Sequence, residues 1–148
     1  MAVGDVTIFE EFALNVATGA YDLTSSGDTI KLGIVNNSTV PTAATATPQW
    51  GDFSANDVSA SGNYVANGIT LTNQSWTEAD GTATFDADNV TISQSASGFT
   101  NAYWGIIYDD TLASDPCIGF IELGTNVSEV AGTITITWAG TGIMTIDA

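Results

Sequence analysis

Thr133-Ile134-Thr135-Ile136-Thr137-Trp138 alternates threonine with a large apolar residue at every step. In an extended chain successive side chains point to opposite faces, so this spacing sends Ile134, Ile136 and Trp138 to a core and the threonines to water. The segment reads as a half-buried strand. Tyr103-Trp104-Gly105-Ile106-Ile107-Tyr108 is apolar throughout instead. A run of that length fits a strand covered on both faces, central in its sheet.

The same patterns recur on either side of these two segments. Ile118-Gly119-Phe120-Ile121-Glu122-Leu123 resumes the apolar run after Asp109-Asp110-Thr111, which is expected to be a solvated turn. Gly140 and Gly142 are placed to turn the chain so that Ile143-Met144-Thr145-Ile146 returns beside residues 133–138. Upstream, Ile69 and Leu71 alternate with Thr70 and Thr72, and Val90-Thr91-Ile92 repeats the motif. Asp80-Gly81 between the Trp76 and Phe85 segments signals a two-residue hairpin. Thr29–Val35 follows the Thr24-Ser25-Ser26-Gly27-Asp28 turn cluster and reads as the first clear strand.

One stretch keeps a different period. Phe9, Phe12, Ala13, Val16, Ala17 and Ala20 recur at spacings of three and four, with Glu10 and Glu11 early, where a helix dipole favours acids. This predicts a short helix over about residues 8–18, ended by Gly19. From Asn36 to Asp57 no period holds, and Pro41 and Pro48 interrupt the chain, so an extended loop or loosely paired edge is expected there. The fold class is therefore mainly β: an antiparallel β-sandwich of about seven to nine strands with one short N-terminal helix, a single domain over residues 1–148.

Composition narrows the function. Apolar residues make up 44% of the 148-residue chain, enough for a packed core, while 17 Asp and Glu face one basic residue, Lys31, for a net charge of -16. A field of that sign repels phosphate backbones and anionic lipid, and binding by counterion release needs basic side chains, so neither nucleic acid nor a membrane surface is an expected partner. No apolar run approaches membrane-spanning length, and the first residues lack the basic and apolar regions of a signal peptide. Cys117, the single cysteine, is expected to be a buried, inert thiol.

The chemistry-bearing residues are few. Without histidine there is no imidazole base and no His-based zinc or copper site, and with one cation there is no charge clamp for a phosphoryl group. A pair of carboxylates across a cleft is the remaining catalytic device, and acids are numerous enough for such pairs to arise by chance. Asp86-x-Asp88-Asn89 has the start of a calcium loop but lacks its glycine and closing glutamate. No catalytic, cofactor-binding or metal-ligating residue is assigned, and no enzyme activity is expected. Of the four tryptophans, Trp76, Trp104 and Trp138 fall in strand patterns, which leaves Trp50 as an exposed candidate for stacking on a sugar, with Tyr64 as a second.

The ordered segments together resemble small acidic virion proteins of tailed bacteriophages. The pieces that carry the resemblance are Phe9-Glu10-Glu11-Phe12, Asp28–Val35, Gly62-Asn63-Tyr64 with Gly68-Ile69-Thr70-Leu71, and Phe85-Asp86-Ala87-Asp88-Asn89-Val90. Ala102–Thr111, Ile118–Gly124 and Ile136-Thr137-Trp138 extend it over most of the chain. The resemblance implies a non-enzymatic capsid decoration or cement protein on the capsid surface, whose partners are the major capsid protein and copies of itself. The N-terminal segment and residues 36–57 are the expected contact segments. A tail, neck or fibre component, or a carbohydrate-binding β-sandwich module, is the alternative. Divalent ions bridging carboxylates of neighbouring subunits are a further expectation for the assembled particle.

Overall fold

The computed structural model describes residues 4–147. Ten strands form three antiparallel sheets: β1 (Val6–Ile8), β2 (Ile30–Val35), β3 (Ile69–Thr70), β4 (Ser75–Ala79), β5 (Thr82–Asp86), β6 (Val90–Ile92), β7 (Ala102–Asp109), β8 (Cys117–Val127), β9 (Ile134–Ile136) and β10 (Met144–Asp147). One helix, α1 (Glu10–Val16), follows β1. The fold is the expected β-sandwich with one N-terminal helix. The strand count exceeds the expected range by one because β1, only three residues long, makes too short a pattern to stand out in the sequence.

The main sheet has the order β1-β8-β7-β2-β3, so the Tyr103–Tyr108 run lies at its centre as its composition predicts. Its two faces are covered differently. Leu32, Ile34, Ile107 and Ile121 point to one face and pack with Phe85, Val90, Ile92, Ile136 and Trp138 from the smaller sheets β10-β5-β4 and β6-β9. Val35, Trp104, Ile106, Tyr108 and Phe120 point to the other face, where Phe9, Trp50 and Phe53 cover them from irregular segments. The β7 side chains from Ala102 to Tyr108 therefore pack in apolar clusters, and neither face of the strand carries a polar stripe.

A register shift between Ile107 and Tyr108 sets Ile118 as an extra residue on β8, and both Cys117 and Ile118 stay buried, in opposite clusters. The Asp80-Gly81 hairpin is present, with positive φ at both residues and Ala79 opposite Thr82. The C-terminal strand departs from expectation. β10 pairs with β5, not with the preceding strand, and β9 pairs with β6. Gly142, at φ 87, turns the chain against Thr84 and Phe85, and the Ile143 N–H then donates to the Phe85 carbonyl at 2.8 Å. That contact commits the returning chain to β5.

Candidate functional site

The two expected contact segments meet. The Glu10 N–H, at the start of α1, donates to the Ala43 carbonyl at 3.0 Å, and the Phe9 ring lies 6.3 Å from Phe53 and 5.0 Å from Phe120. Residues 36–57 contain no strand, in line with their sequence, but they are no surface flap. Two 3-10 turns, Trp50–Asp52 and Ser54–Asn56, seat Trp50 and Phe53 in the second core. Gln49 and Asp52 form a reciprocal capping pair at the first of them.

Trp50 corrects the reading of it as an exposed residue. Its accessibility is 4%, and its ring stacks on Tyr108 with centroids 4.9 Å apart and planes 4° from parallel. A Cβ on Gly33 would collide with the indole, so the absence of a side chain there is what admits the ring. The indole N–H donates to Asn67 Oδ1 at 3.2 Å, while the Tyr108 hydroxyl donates to the Asn67 carbonyl. Trp50 is a pillar of the fold and offers no face to a sugar.

Tyr64 is corrected in the same way, being 1% accessible. Its hydroxyl accepts from the Ile34 N–H at 2.7 Å and donates to Asp57 Oδ1 at 2.6 Å; Asp57 Oδ2 accepts from the Asn67 N–H at 2.8 Å. Burial raises the Asp57 pKa, against the lowering effect of these hydrogen bonds. Burial likewise raises the Tyr64 hydroxyl, and hydrogen bonding to Asp57 adds to it. The loop is held to the sheet by Tyr64, Asp57 and Asn67.

What this region presents outward is apolar in two places. Val40 is 54% exposed and Leu14, on α1, 66%. Before Val40, Asn37 Oδ1 accepts from the Trp104 indole at 2.9 Å and Thr39 from Asn56 at 2.8 Å, and after it the Ala43 carbonyl accepts from the Glu10 N–H, so both flanks of Val40 are tied inward. Pro48 accepts from the Cys117 N–H, which makes it part of the β8 edge.

The acidic residues fall into place individually. Asp88 Oδ2 accepts from Thr72 and Asn73, and Asp86 Oδ1 from the Ala87 N–H, which accounts for this acidic pair as turn chemistry. Asp110 pairs with Lys31 at 2.8 Å. Asp109 departs from the solvated turn expected of it, because it is fully buried. Its Oδ1 accepts from the N–H groups of Thr111 and Leu112 at 2.8 and 3.1 Å. Oδ2 has no N–H or O–H donor among the described residues, and its neighbour is the Asp28 carboxylate, itself an acceptor. A bond between the two forms only when one of them holds a proton. Burial, helped by the Asp28 charge, pushes the Asp109 pKa up to about 6.

Two acids in direct contact leave no room for a sugar between them, and Asp109 has no exposed surface through which to act. No group of three or more His, Cys, Asp or Glu is placed to hold a metal among the described residues. Cys117 is buried, and burial raises its thiol pKa, the environment expected of an inert cysteine. Sequence reasoning missed Glu129, which is fully buried although Val127 and Ser128 before it and Val130 after it gave no strand pattern. Nothing in the local composition marks it; only the packing of three loops does.

Compared with known proteins, the chain matches no family model, no curated protein and no solved structure.

Proposed function

We propose that this chain is a non-enzymatic structural protein of a tailed-phage particle, which decorates the capsid and cements it by binding the major capsid protein and copies of itself. The observation that carries the reading is the joined contact region. The N-terminal segment and residues 36–57, the contact segments expected from the sequence, are bonded at Glu10–Ala43 and fixed on a buried base of Phe9, Trp50 and Phe53. A rigid base with apolar tips at Val40 and Leu14 suits docking on a shell, because little ordering entropy is lost on binding. The strongly negative surface and the scarcity of cations agree with a role that handles neither nucleic acid nor phosphoryl groups.

The test is occupancy. Virions containing the wild-type chain are expected to hold it in a simple lattice ratio to the major capsid protein by quantitative mass spectrometry. Val40→Asp with Leu14→Asp changes only exposed side chains, so the domain should keep its circular dichroism spectrum and lose its place on the particle. A handful of copies per virion would move the protein to the tail, neck or fibre, and absence from virions would leave the carbohydrate-binding module. Full occupancy by the double variant would remove this surface from the contact.

A further inference from the structure

Glu129 has no accessible surface, and neither of its carboxylate oxygens accepts a hydrogen bond from any described residue. Its backbone is pinned: the Glu129 N–H donates to the Phe99 carbonyl at 2.9 Å, and the Glu129 carbonyl accepts from the Ser95 N–H at 3.4 Å. The side chain therefore reaches beneath the loop of residues 93–98. There it lies between two glycines. A Cβ on Gly98 would collide with Oε2, and one on Gly62 would lie 2.9 Å from Oε1 and 3.4 Å from the Ser93 carbonyl oxygen. Gly98 is outside the left-handed region, so space for the carboxylate, and not backbone conformation, is what calls for glycine there.

The Ser93 carbonyl oxygen borders the Gly62 side of this space, and Ser95 approaches the same side, with its Cβ 3.8 Å from the Cβ position of Gly62. Ser61 Oγ donates to Ser95 Oγ at 2.7 Å, and Ser95 Oγ lies 3.4 Å from Ser97 Oγ. The Ser93 N–H is occupied by Asn63 Oδ1 at 2.7 Å, and the Ser93 carbonyl, in the next peptide, lies on the Gly62 side of the carboxylate. A buried carboxylate without partners is among the costliest arrangements in a protein, and it persists where something compensates the charge. A single proton would give one of its oxygens a hydrogen and leave the second without a donor. A cation compensates both oxygens at once, and hydroxyl and carbonyl oxygens beside a carboxylate are the ligands that hard cations take.

We propose that Glu129, with the Ser93 carbonyl and the Ser61 and Ser95 hydroxyls, forms a binding site for a hard cation of the calcium class. One carboxylate among neutral oxygens sets a weak affinity, with Kd on the order of 0.1–1 mM. Magnesium, which needs near-ideal octahedral geometry and keeps its water, is a poor fit to a buried carboxylate with irregularly placed loop oxygens. This site lies within one chain, unlike ions that bridge subunits, and it does not depend on the virion assignment.

The experiment uses the full chain, stripped with chelator and dialysed. Calcium is titrated by isothermal calorimetry and by thermal unfolding, with magnesium and with sodium at matched ionic strength as controls. Expected are one saturable calcium site per chain and a rise in Tm of about 3–5 °C at ten times Kd. Glu129→Gln, nearly isosteric, should fold and weaken calcium binding at least tenfold; Gly98→Ala, which crowds Oε2, should weaken it while leaving every ligand residue in place. A calcium response no larger than that of matched sodium, an unchanged response in Glu129→Gln, or a magnesium response as large as calcium's would each overturn the proposal. Because calorimetry on the wild-type chain reads binding directly, poor folding of a variant does not rescue it.

Discussion

The two faces of the main sheet bury comparable residues by different means. On one, strands pack on strands: Leu32, Ile34 and Ile107 meet Phe85, Ile92 and Ile136, each presented by the two-residue period of its own strand. On the other, Trp104, Ile106, Tyr108 and Phe120 are covered by Phe9, Trp50 and Phe53, which arrive singly from turns. The first face is held by many side chains at regular spacing, so no one of them positions the rest. The second depends on a few large anchors and on the polar brackets that hold their turns. It follows that the loop-covered face should be more sensitive, residue for residue, than its irregular sequence suggests.

The sharpest test sets the two faces side by side. Trp50→Ala should cost about 3–5 kcal/mol in urea unfolding, as much as Phe85→Ala on the strand-covered face. Both residues are almost fully buried, at 4% and 0% accessibility, and Trp50 loses its stack on Tyr108 as well. A cost below about 1 kcal/mol for Trp50→Ala would mean that the 36–57 segment is a detachable cover, and the comparison would fail.

Acidity probes the end of the sheet, where β7 runs into the Asp109 turn. Because the Asp109 pKa is raised from 3.8 to about 6, the native state holds a proton there that the unfolded chain has released between those two values. The contribution of Asp109 is therefore most favourable below about pH 4, declines as pH rises to about 6, and is constant above. Asp109→Asn keeps an oxygen for the Thr111 and Leu112 N–H groups and places an amide donor toward Asp28. Its stability relative to wild type should rise across that window by up to about 3 kcal/mol and then level off. Urea melts at intervals from pH 4 to 7 read this directly; a difference that stays flat would show that the buried carboxyl is compensated by other means.

Between the faces stands Tyr64. Its ring packs in the strand-covered cluster, edge-on to Phe99 at 5.7 Å, while its hydroxyl bonds Ile34 in β2 and Asp57 at the end of the loop. Tyr64→Phe keeps the packing and leaves the Ile34 N–H and Asp57 Oδ1 without this partner. The expected cost is about 1–3 kcal/mol, with faster proteolysis confined to residues 36–57. Equal stability with unchanged proteolysis would mean that the apolar anchors alone hold the loop.

The same contrast explains what could be read from the sequence. Alternation revealed the strand-covered face, because a period of two is a direct image of the pleat, while the unbroken apolar run of residues 103–108 revealed the central position of β7 and Asp80-Gly81 the hairpin. The spacing of Phe9, Phe12 and Val16 likewise revealed α1. Trp50 and Phe53 had no such image: in a 3-10 turn two residues three apart share a face, and a pair of them makes no pattern. The pairing of β10 was hidden for another reason. Its partner is chosen by the contact of Gly142 with β5, across the chain, and not by the residues of β10 itself. The buried acids Asp109 and Glu129 look from sequence like any surface carboxylate, since burial is decided by what the loops around them enclose. Residues 36–57 were legible as irregular and interrupted by Pro41 and Pro48, but their meeting with the N-terminal segment at Glu10 and Ala43 was not.

The smallest effect belongs to Lys31, the single basic residue in the sequence. It shares the loop-covered side of β2 with Gly33 and Val35 and pairs with Asp110 at 2.8 Å, with both side chains partly exposed, at 22% and 33%. Exposure screens such a pair, so Lys31→Met should cost less than about 1 kcal/mol, and the loss should shrink further as salt is raised. Its apolar stem is retained in methionine, which keeps the contacts of the chain with the sheet. If the variant instead loses 2 kcal/mol or more and salt does not restore it, this one cation is holding the acidic rim of β7 in place. The loop-covered face would then owe its stability to charge as much as to Trp50 and Phe53, and double-mutant cycles between Lys31 and Trp50 would show coupling where two independent anchors should show none.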